Sequence, residues 1–320
     1  MSTQTHLYSI IIISLVAANS FAAPRDFFVS SESTNSVKRY DGITGAYIGD
    51  FVAPGSGGLG RPQGIAFGPD GNLYVSSAAD NKVKRFNGQT GAFIDNFTTG
   101  STVIFPADLS FFGGKLWVSS FNDPGRLAQF DSATGFFLGD FTGSTNAFNA
   151  DGHAFDTARD AVYISTSTPN PSGTGFIGEI QKYKLSTGEY LGVLGSGGPG
   201  LALDLRIGAD GDIFYNAFGP GTVKRIDGTT GAYEGNFITG LGLTQGQEIG
   251  PDGLLYVGSY GNSFINKYNA TTGELVGTFI AANAGGLAQP NNFTFAPVPE
   301  PATVLLLSAG VAGLIRRRRA

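Results

Sequence analysis

Residues 61 to 97 read RPQGIAFGPDGNLYVSSAADNKVKRFNGQTGAFIDNF, with four short apolar and aromatic runs: GIAF, NLYVSS, KVKRFN and AFIDNF. Runs of this length, bounded by Gly, Pro, Asn and Asp, predict strands rather than helices. Pro69-Asp70-Gly71 suits a tight turn: Pro presets φ, Asp accepts from the turn backbone, and Gly takes positive φ. Asn87-Gly88-Gln89-Thr90-Gly91 supplies similar chemistry between the third and fourth runs. One stretch of chain therefore predicts four antiparallel strands.

The unit recurs. Thr-Gly stands at Thr44-Gly45, Thr90-Gly91, Thr134-Gly135, Thr187-Gly188, Thr230-Gly231 and Thr272-Gly273, at intervals of 46, 44, 53, 43 and 42 residues. Four strands with a period near 45 describe a propeller blade, not a solenoid coil. The first copy starts at Asp26 already in its second strand, FFVSS, and lacks a first one. PNNFTFAP at 290–297 matches the missing element, PQGIAFGP. The C-terminal strand is expected to complete the first blade and close an all-β, six-bladed ring without open edges between the chain ends. The longest interval carries TPNPSGTGF at 168–176, read as a loop in the fourth blade.

Aligning the first strands gives an apolar column, Phe67, Phe111, Phe155, Ile207, Ile249 and Phe295, read as packing between blades. Two residues earlier stand Ile65, Leu109, His153, Leu205, Gln247 and Phe293, so His153 occupies an otherwise mostly apolar slot. The expectation there is a hydrogen-bonded core histidine. The alternating positions are polar and line a central channel: Gly64, Asp108, Gly152, Asp204, Gly246 and Asn292, then Ala66, Ser110, Ala154, Arg206, Glu248 and Thr294. Arg206 and Glu248 hold equivalent slots in neighbouring blades and are expected to form an ion pair. The competing reading is that Asp108, Asp204, Glu248 and Asn292 offer oxygens to a calcium or magnesium ion.

Both chain ends read as address labels. Leu7 to Ala18 is almost wholly apolar and is followed by Ser20-Phe21-Ala22, the pattern of a secretory signal cleaved after Ala22. The other end runs Val298-Pro299-Glu300-Pro301, an apolar segment 302–315, then Arg316, Arg317, Arg318 and Arg319. Fourteen residues make a helix about 21 Å long at roughly 1.5 Å per residue, short of a hydrocarbon core of about 30 Å. The arginines should stay cytoplasmic, so at least transient contact with a membrane is expected, with the preceding domain outside. The domain scheme is a leader over 1–22, a propeller over 23–297 and a tail over 298–320.

Composition agrees with many short strands: 49 glycines, 26 phenylalanines and only 14% charged residues. With no cysteine there is no disulfide framework, thiolate zinc site or catalytic thiol. Of two histidines, His6 falls in the leader, which excludes a mechanism needing two. Without the leader and the four terminal arginines, 16 basic residues face 25 acidic ones, Glu300 included. Such a charge of about −9 lacks the basic footprint that nucleic acid requires. No nucleophile-elbow motif frames a serine.

The tail VPEPATVLLLSAGVAGLIRRRRA resembles a PEP-CTERM sorting signal, with the Pro-Glu-Pro triplet, apolar span and terminal arginines in order. The resemblance implies an exosortase-type processing enzyme as partner and a Gram-negative, exopolysaccharide-making host. It also implies a destination at the cell envelope, the cell surface or outside the cell. The repeat resembles NHL-type propeller repeats from Asp26 to Pro297, which is specific for architecture and weak for activity. It distantly resembles six-bladed lactonases of the gluconolactonase type, which hold a divalent metal with Glu, Asn and Asp at such a channel. The chain departs from them, since the first blade's strand has no Glu and Arg206 would repel a cation. It also resembles streptogramin-lyase-like propellers, whose histidine-based site would have only His153 here. Two functions follow as expectations: an exported binding or scaffold module touching exopolysaccharide or envelope proteins, or a metal-dependent hydrolase or lyase working at the channel.

Overall fold

A computed structural model describes residues 26–121, 125–143 and 149–297. The leader over 1–22, the Pro299-Glu300-Pro301 triplet, the apolar segment and Arg316 to Arg319 lie outside the described residues. The described chain folds into six four-stranded antiparallel sheets, the blades of a propeller. Blade 2 has its strands at Pro62–Phe67, Leu73–Ser77, Lys82–Phe86 and Phe93–Asn96, on the four runs read from the sequence. Blade 1 takes Phe27–Ser31, Ser36–Tyr40 and Tyr47–Val52 from the start of the propeller and Pro290–Phe295 from its end. Phe27 pairs with Phe295 and Val29 with Phe293, so the last strand closes the ring as the innermost strand of the first blade.

Local chemistry explains the Thr-Gly period. At the first copy, Asp41 Oδ1 accepts from the backbone N–H groups of Ile43 (3.0 Å) and Thr44 (2.8 Å) and from the Thr44 hydroxyl (2.9 Å). Asn87, Asp131, Asp227 and Asn269 cap the same turn in blades 2, 3, 5 and 6. In blade 4 Asp160 accepts from Ser186 N instead. The glycine that follows the threonine has φ between 70° and 76° in all six copies, a left-handed conformation costly for other residues.

Those glycines also join the blades. A Cβ on Gly91 would lie 1.7 Å from the carbonyl oxygen of Phe51 on the outer strand of blade 1. Gly45 meets Phe279 O at 1.8 Å, Gly135 meets Phe97 O at 2.0 Å, Gly231 meets Leu194 O at 1.7 Å and Gly273 meets Phe237 O at 2.4 Å. Only Gly188, in blade 4, is looser, 3.3 Å from Phe141 O. Each turn thus seats against its preceding neighbour, right around the ring.

The apolar core is correspondingly distributed. Six clusters of buried side chains each span two neighbouring blades, such as Phe28, Phe51, Ile65, Leu73 and Phe86 between blades 1 and 2. Every member of the apolar column packs on one of them: Phe67, Phe111, Phe155, Ile207, Ile249 and Phe295. The segment expected as a loop in blade 4 is mostly loop: six of its nine residues, 170–175, form the turn of a hairpin. The flanking strands lengthen to Ala161–Pro169 and Phe176–Lys184, with Pro169 paired to Phe176.

The glycine geometry sets a test. Gly188→Ala should cost about 1–2 kcal/mol, the left-handed strain alone. Gly91→Ala adds a collision with backbone, so its cost should be clearly larger, about 3 kcal/mol or more. Urea unfolding of both variants measures this, and equal costs would mean that the turns do not set the blade spacing.

Candidate functional site

Six inner strands surround the channel, and their polar side chains form layers. In the middle layer Asn292, Asp108 and Asp204 come from blades 1, 3 and 5, while Gly64, Gly152 and Gly246 come from blades 2, 4 and 6. The glycines are there for space. A Cβ would lie 2.4 Å from Ala107 O at Gly64, 2.6 Å from Leu205 N at Gly152 and 1.8 Å from Asn291 O at Gly246. The acids reach the following blade: Asp108 Oδ2 accepts from His153 N at 3.4 Å and Asp204 Oδ2 from Gln247 N at 2.7 Å. Asp108 Oδ1 also accepts from Leu109 N at 2.8 Å and faces Asn292 Nδ2 at 3.5 Å.

The next layer carries the charge. Arg206 Nε donates to Glu248 Oε2 at 3.1 Å, the interblade pair expected from the sequence. It has a second, more buried partner, because Arg206 Nη1 also donates to Asp204 Oδ1. Arg206 is the only Lys or Arg on the six inner strands. Burial pushes Asp204 up to about 7 and Asp108 up to about 6, against the pull of Arg206 and of the N–H donors. Glu248 is raised by burial as well. Burial opposes the Arg206 charge, but Asp204, Glu248 and Asp108 outweigh it and keep the guanidinium protonated.

These residues do not fit a divalent ion. The oxygens of Asp204 and Glu248 that would ligate it already hold one guanidinium, and Asp108 is turned to backbone N–H groups. Among the described residues no group of three or more His, Asp or Glu side chains converges as a metal site.

His153 sits in its interior slot, and its Nε2 is 2.6 Å from Ser110 Oγ in the preceding blade. Its Nδ1 is 3.5 Å from Asp108 Oδ2 but has no hydrogen bond. Serine, histidine and aspartate thus stand in the order of a nucleophilic relay. The chemistry is poor for one: burial, then Arg206, push the imidazole down to about 3, too weak a base to take a hydroxyl proton. The chain of contacts instead ties blade 3 to blade 4.

A pocket lies at one mouth of the channel, and sequence reasoning did not find it. It has a volume of about 470 Å³ and is open to solvent. Glu32, Gln63, Asp151 and Gln245 contribute polar groups, and all four are buried. Two aromatic pairs flank it: Phe105 with Phe121, ring centres 5.9 Å apart, and Phe218 with Tyr260, 5.8 Å apart. Leu201 and Leu203 add apolar wall. Glu32 organises one side, accepting from Gln63 Nε2 at 2.9 Å, Asn291 Nδ2 at 3.1 Å and Arg61 Nε at 3.0 Å. Burial first, then the Glu32 charge, push the Tyr260 hydroxyl up to about 12.

A signal for this pocket was present in the repeats. The residue after each second strand's terminal pair runs Glu32, Ala78, Phe121, Ser167, Phe218 and Tyr260, out of step with any packing column. Gln63, Asp151, Gln245 and Asn291 stand one position before the channel column. Which of them meet depends on the ring, not on the repeat.

Comparison with known proteins adds an address and a fold. Residues 297–319 match the PEP-CTERM protein-sorting motif, which indicates export to the cell envelope or surface and handling by an exosortase-type enzyme. The fold is similar to that of a chain in the crystal structure of a nidogen/laminin complex, with 14% identity and a TM-score of 0.65 over 85% of this chain and 97% of that one. It is also similar to the WD40 β-propeller domain of Doa1, at 12% identity and a TM-score of 0.58 over 79% and 77% of the two chains. No curated protein sequence matches the chain. At such identities the likeness is one of architecture.

Two tests follow from the channel. At pH 8, Arg206→Met should cost about 3–5 kcal/mol, because the fully buried Asp204 loses its cation. Glu248→Gln should cost under about 1 kcal/mol, since Arg206 keeps Asp204. Adding Asp204→Asn to Arg206→Met should recover much of the loss in a urea double-mutant cycle. If the Glu248 change costs as much as the Arg206 change, Asp204 is not the main partner.

The second test uses pH. Asp108 and Asp204 hold protons more tightly folded than unfolded, where carboxyls titrate near 3.8. Their contribution to stability is full below about pH 4 and is lost as pH rises through about 6 to 7. His153 has the opposite sign, being depressed from 6.5 to about 3, so its contribution is lost as pH falls through that range. Above pH 6.5 the acids act alone. The melting temperature measured by calorimetry should therefore fall from pH 6.5 to pH 8, and Asp204→Asn should flatten that slope. A rising profile would show that these acids are ionised without strain.

Proposed function

We propose that this chain is an exported binding and scaffold module of the cell envelope, which holds a glycan of the exopolysaccharide in the mouth pocket. The pocket is the observation that carries the reading. Sugar rings present apolar faces that stack on aromatic side chains and hydroxyls that pair with planar amides and carboxyls. Phe121, Phe218 and Tyr260 offer the first, and Gln63, Gln245 and Glu32 the second. The amides are held before any ligand arrives: Gln63 is fixed by Glu32, and Gln245 Nε2 donates to Gln63 Oε1 at 3.4 Å. A site ordered in advance loses less conformational freedom on binding.

Delivery completes the proposal. A leader over 1–22 would start export, the segment 302–315 would hold the chain transiently in the membrane, and an exosortase-type enzyme would process the tail at the Pro299-Glu300-Pro301 motif. Envelope proteins remain alternative partners for the outer surface of the blades. The competing hydrolase or lyase reading needs a divalent ion among Asp108, Asp204, Glu248 and Asn292, and Arg206 stands against it.

The exported protein should sediment with exopolysaccharide purified from its host. Phe121→Ala combined with Phe218→Ala should weaken this at least tenfold, with melting within about 4 °C of the parent, a shift worth roughly 1–2 kcal/mol at this size. Undiminished sedimentation of that variant would place any glycan contact elsewhere on the propeller.

A further inference from the structure

Asp151 has an unusual position among the acids of the channel. It is 4% exposed and lines the mouth pocket. Asp108 and Asp204 receive N–H donors, and Glu32 receives Gln63, Asn291 and Arg61. Among the described residues no donor or cation reaches the Asp151 carboxyl. Its charged neighbours are of like sign, and burial followed by Asp204 and Asp108 pushes its pKa well up. A carboxyl that lines an open pocket and takes no donor from the described protein is left to pair with a group that enters the pocket.

The walls indicate which kind of group. Two aromatic pairs stand at the rim, and one ring already carries a cation, with the Arg61 guanidinium 4.9 Å from the centre of Phe105. Phe121, Phe218 and Tyr260 are left to the pocket. An aromatic wall opposite a carboxylate suits an organic ammonium, which gains from the ring faces and from the counter-charge. An inorganic divalent ion would find Asp151 and a Glu32 already held by Arg61, Gln63 and Asn291, and among the described residues no group of three acids or histidines.

We propose that the mouth pocket binds the ammonium group of an amine-bearing ligand, with Asp151 as its counter-ion and Phe121, Phe218 and Tyr260 as its aromatic wall. This deepens the glycan reading of the same pocket and rests on it, since an amino sugar combines a ring to stack with an ammonium to pair. The carboxyl is then kept for the ligand at a cost to the empty fold.

The test uses the full exported chain, titrated calorimetrically at pH 7 with glucosamine, N-acetylglucosamine and choline. Glucosamine should bind at least tenfold more tightly than N-acetylglucosamine, whose nitrogen is neutral. Asp151→Asn should abolish that preference and also raise the melting temperature by about 2 °C, because it removes a carboxyl that burial and two neighbouring acids disfavour. Choline binding as tightly as glucosamine would assign the site to small free ammonium compounds, and glucosamine without choline would assign it to an amino sugar. Equal affinity for the two sugars keeps the glycan site but overturns the ammonium. Binding of none of the three overturns both. A lowered melting temperature for Asp151→Asn would mean that the carboxyl has an internal partner, which overturns the inference even if sugars bind.

Discussion

The spacing between blades is the constraint from which the rest follows. A twisted four-stranded sheet cannot bury both faces alone, and six of them succeed only if each lies flat against the next. The Thr-Gly turns fix that approach, because a glycine with no Cβ lets one blade's turn sit on the carbonyl of its neighbour. The core is built to the same plan, as six apolar clusters between blades rather than one central cluster. A ring of this kind tolerates no missing neighbour. That is why Pro290–Phe295 returns to pair with Phe27–Ser31.

Closing the ring brings six strand edges toward one axis, and the chemistry of the channel is a consequence. Where Asn292, Asp108 and Asp204 project, the intervening blades carry glycine, whose bare Cα lies against the backbone of the following inner strand, so only alternate blades send side chains into the bore at that level. Acids dominate that bore and Arg206 is the one guanidinium among them. The protein holds them by two means. Backbone N–H groups of the following blade receive Asp108 and Asp204, and burial leaves the carboxyls inclined to keep their protons. The channel is better understood as a clamp between blades than as a catalytic centre.

How much of this the sequence exposes depends on range. Turns are local, so Asp41 with Thr44 and Asn87 with Thr90 announce themselves through residue type alone. Closure was legible because the missing first strand and the surplus last one carry the same pattern. The Arg206–Glu248 pair was legible because equivalent slots in adjacent blades must be neighbours. Asp204 as the nearer partner was not, since two residues on one strand face one side and the repeat alignment draws attention across blades. Ser110 meeting His153 was missed for a related reason: one belongs to the channel column and the other to the apolar column of the next blade. The loop of blade 4 was legible like the other turns, because Pro and Gly mark 170–175 locally, but the lengthening of its flanking strands to Pro169 and Phe176 was not.

The mouth pocket shows where repeat logic ends. Glu32, Phe121, Phe218 and Tyr260 occupy one repeat position, and Gln63, Asp151 and Gln245 another, yet the residues differ from blade to blade. A propeller's architecture requires sameness at the turns and between the blades, where every interface solves one packing problem. It requires nothing of the mouth. Divergence at repeat-equivalent positions is therefore freest there, and a single blade can present a carboxyl that its five relatives lack. Asp151 is such a residue, in the one blade that also departs from the repeat in length, turn cap and glycine fit. The acids beside it have donors because the inter-blade geometry supplies them, whereas nothing in that geometry supplies one to Asp151. The symmetry of the scaffold thus leaves a carboxyl without a protein donor in a pocket that a ligand can reach.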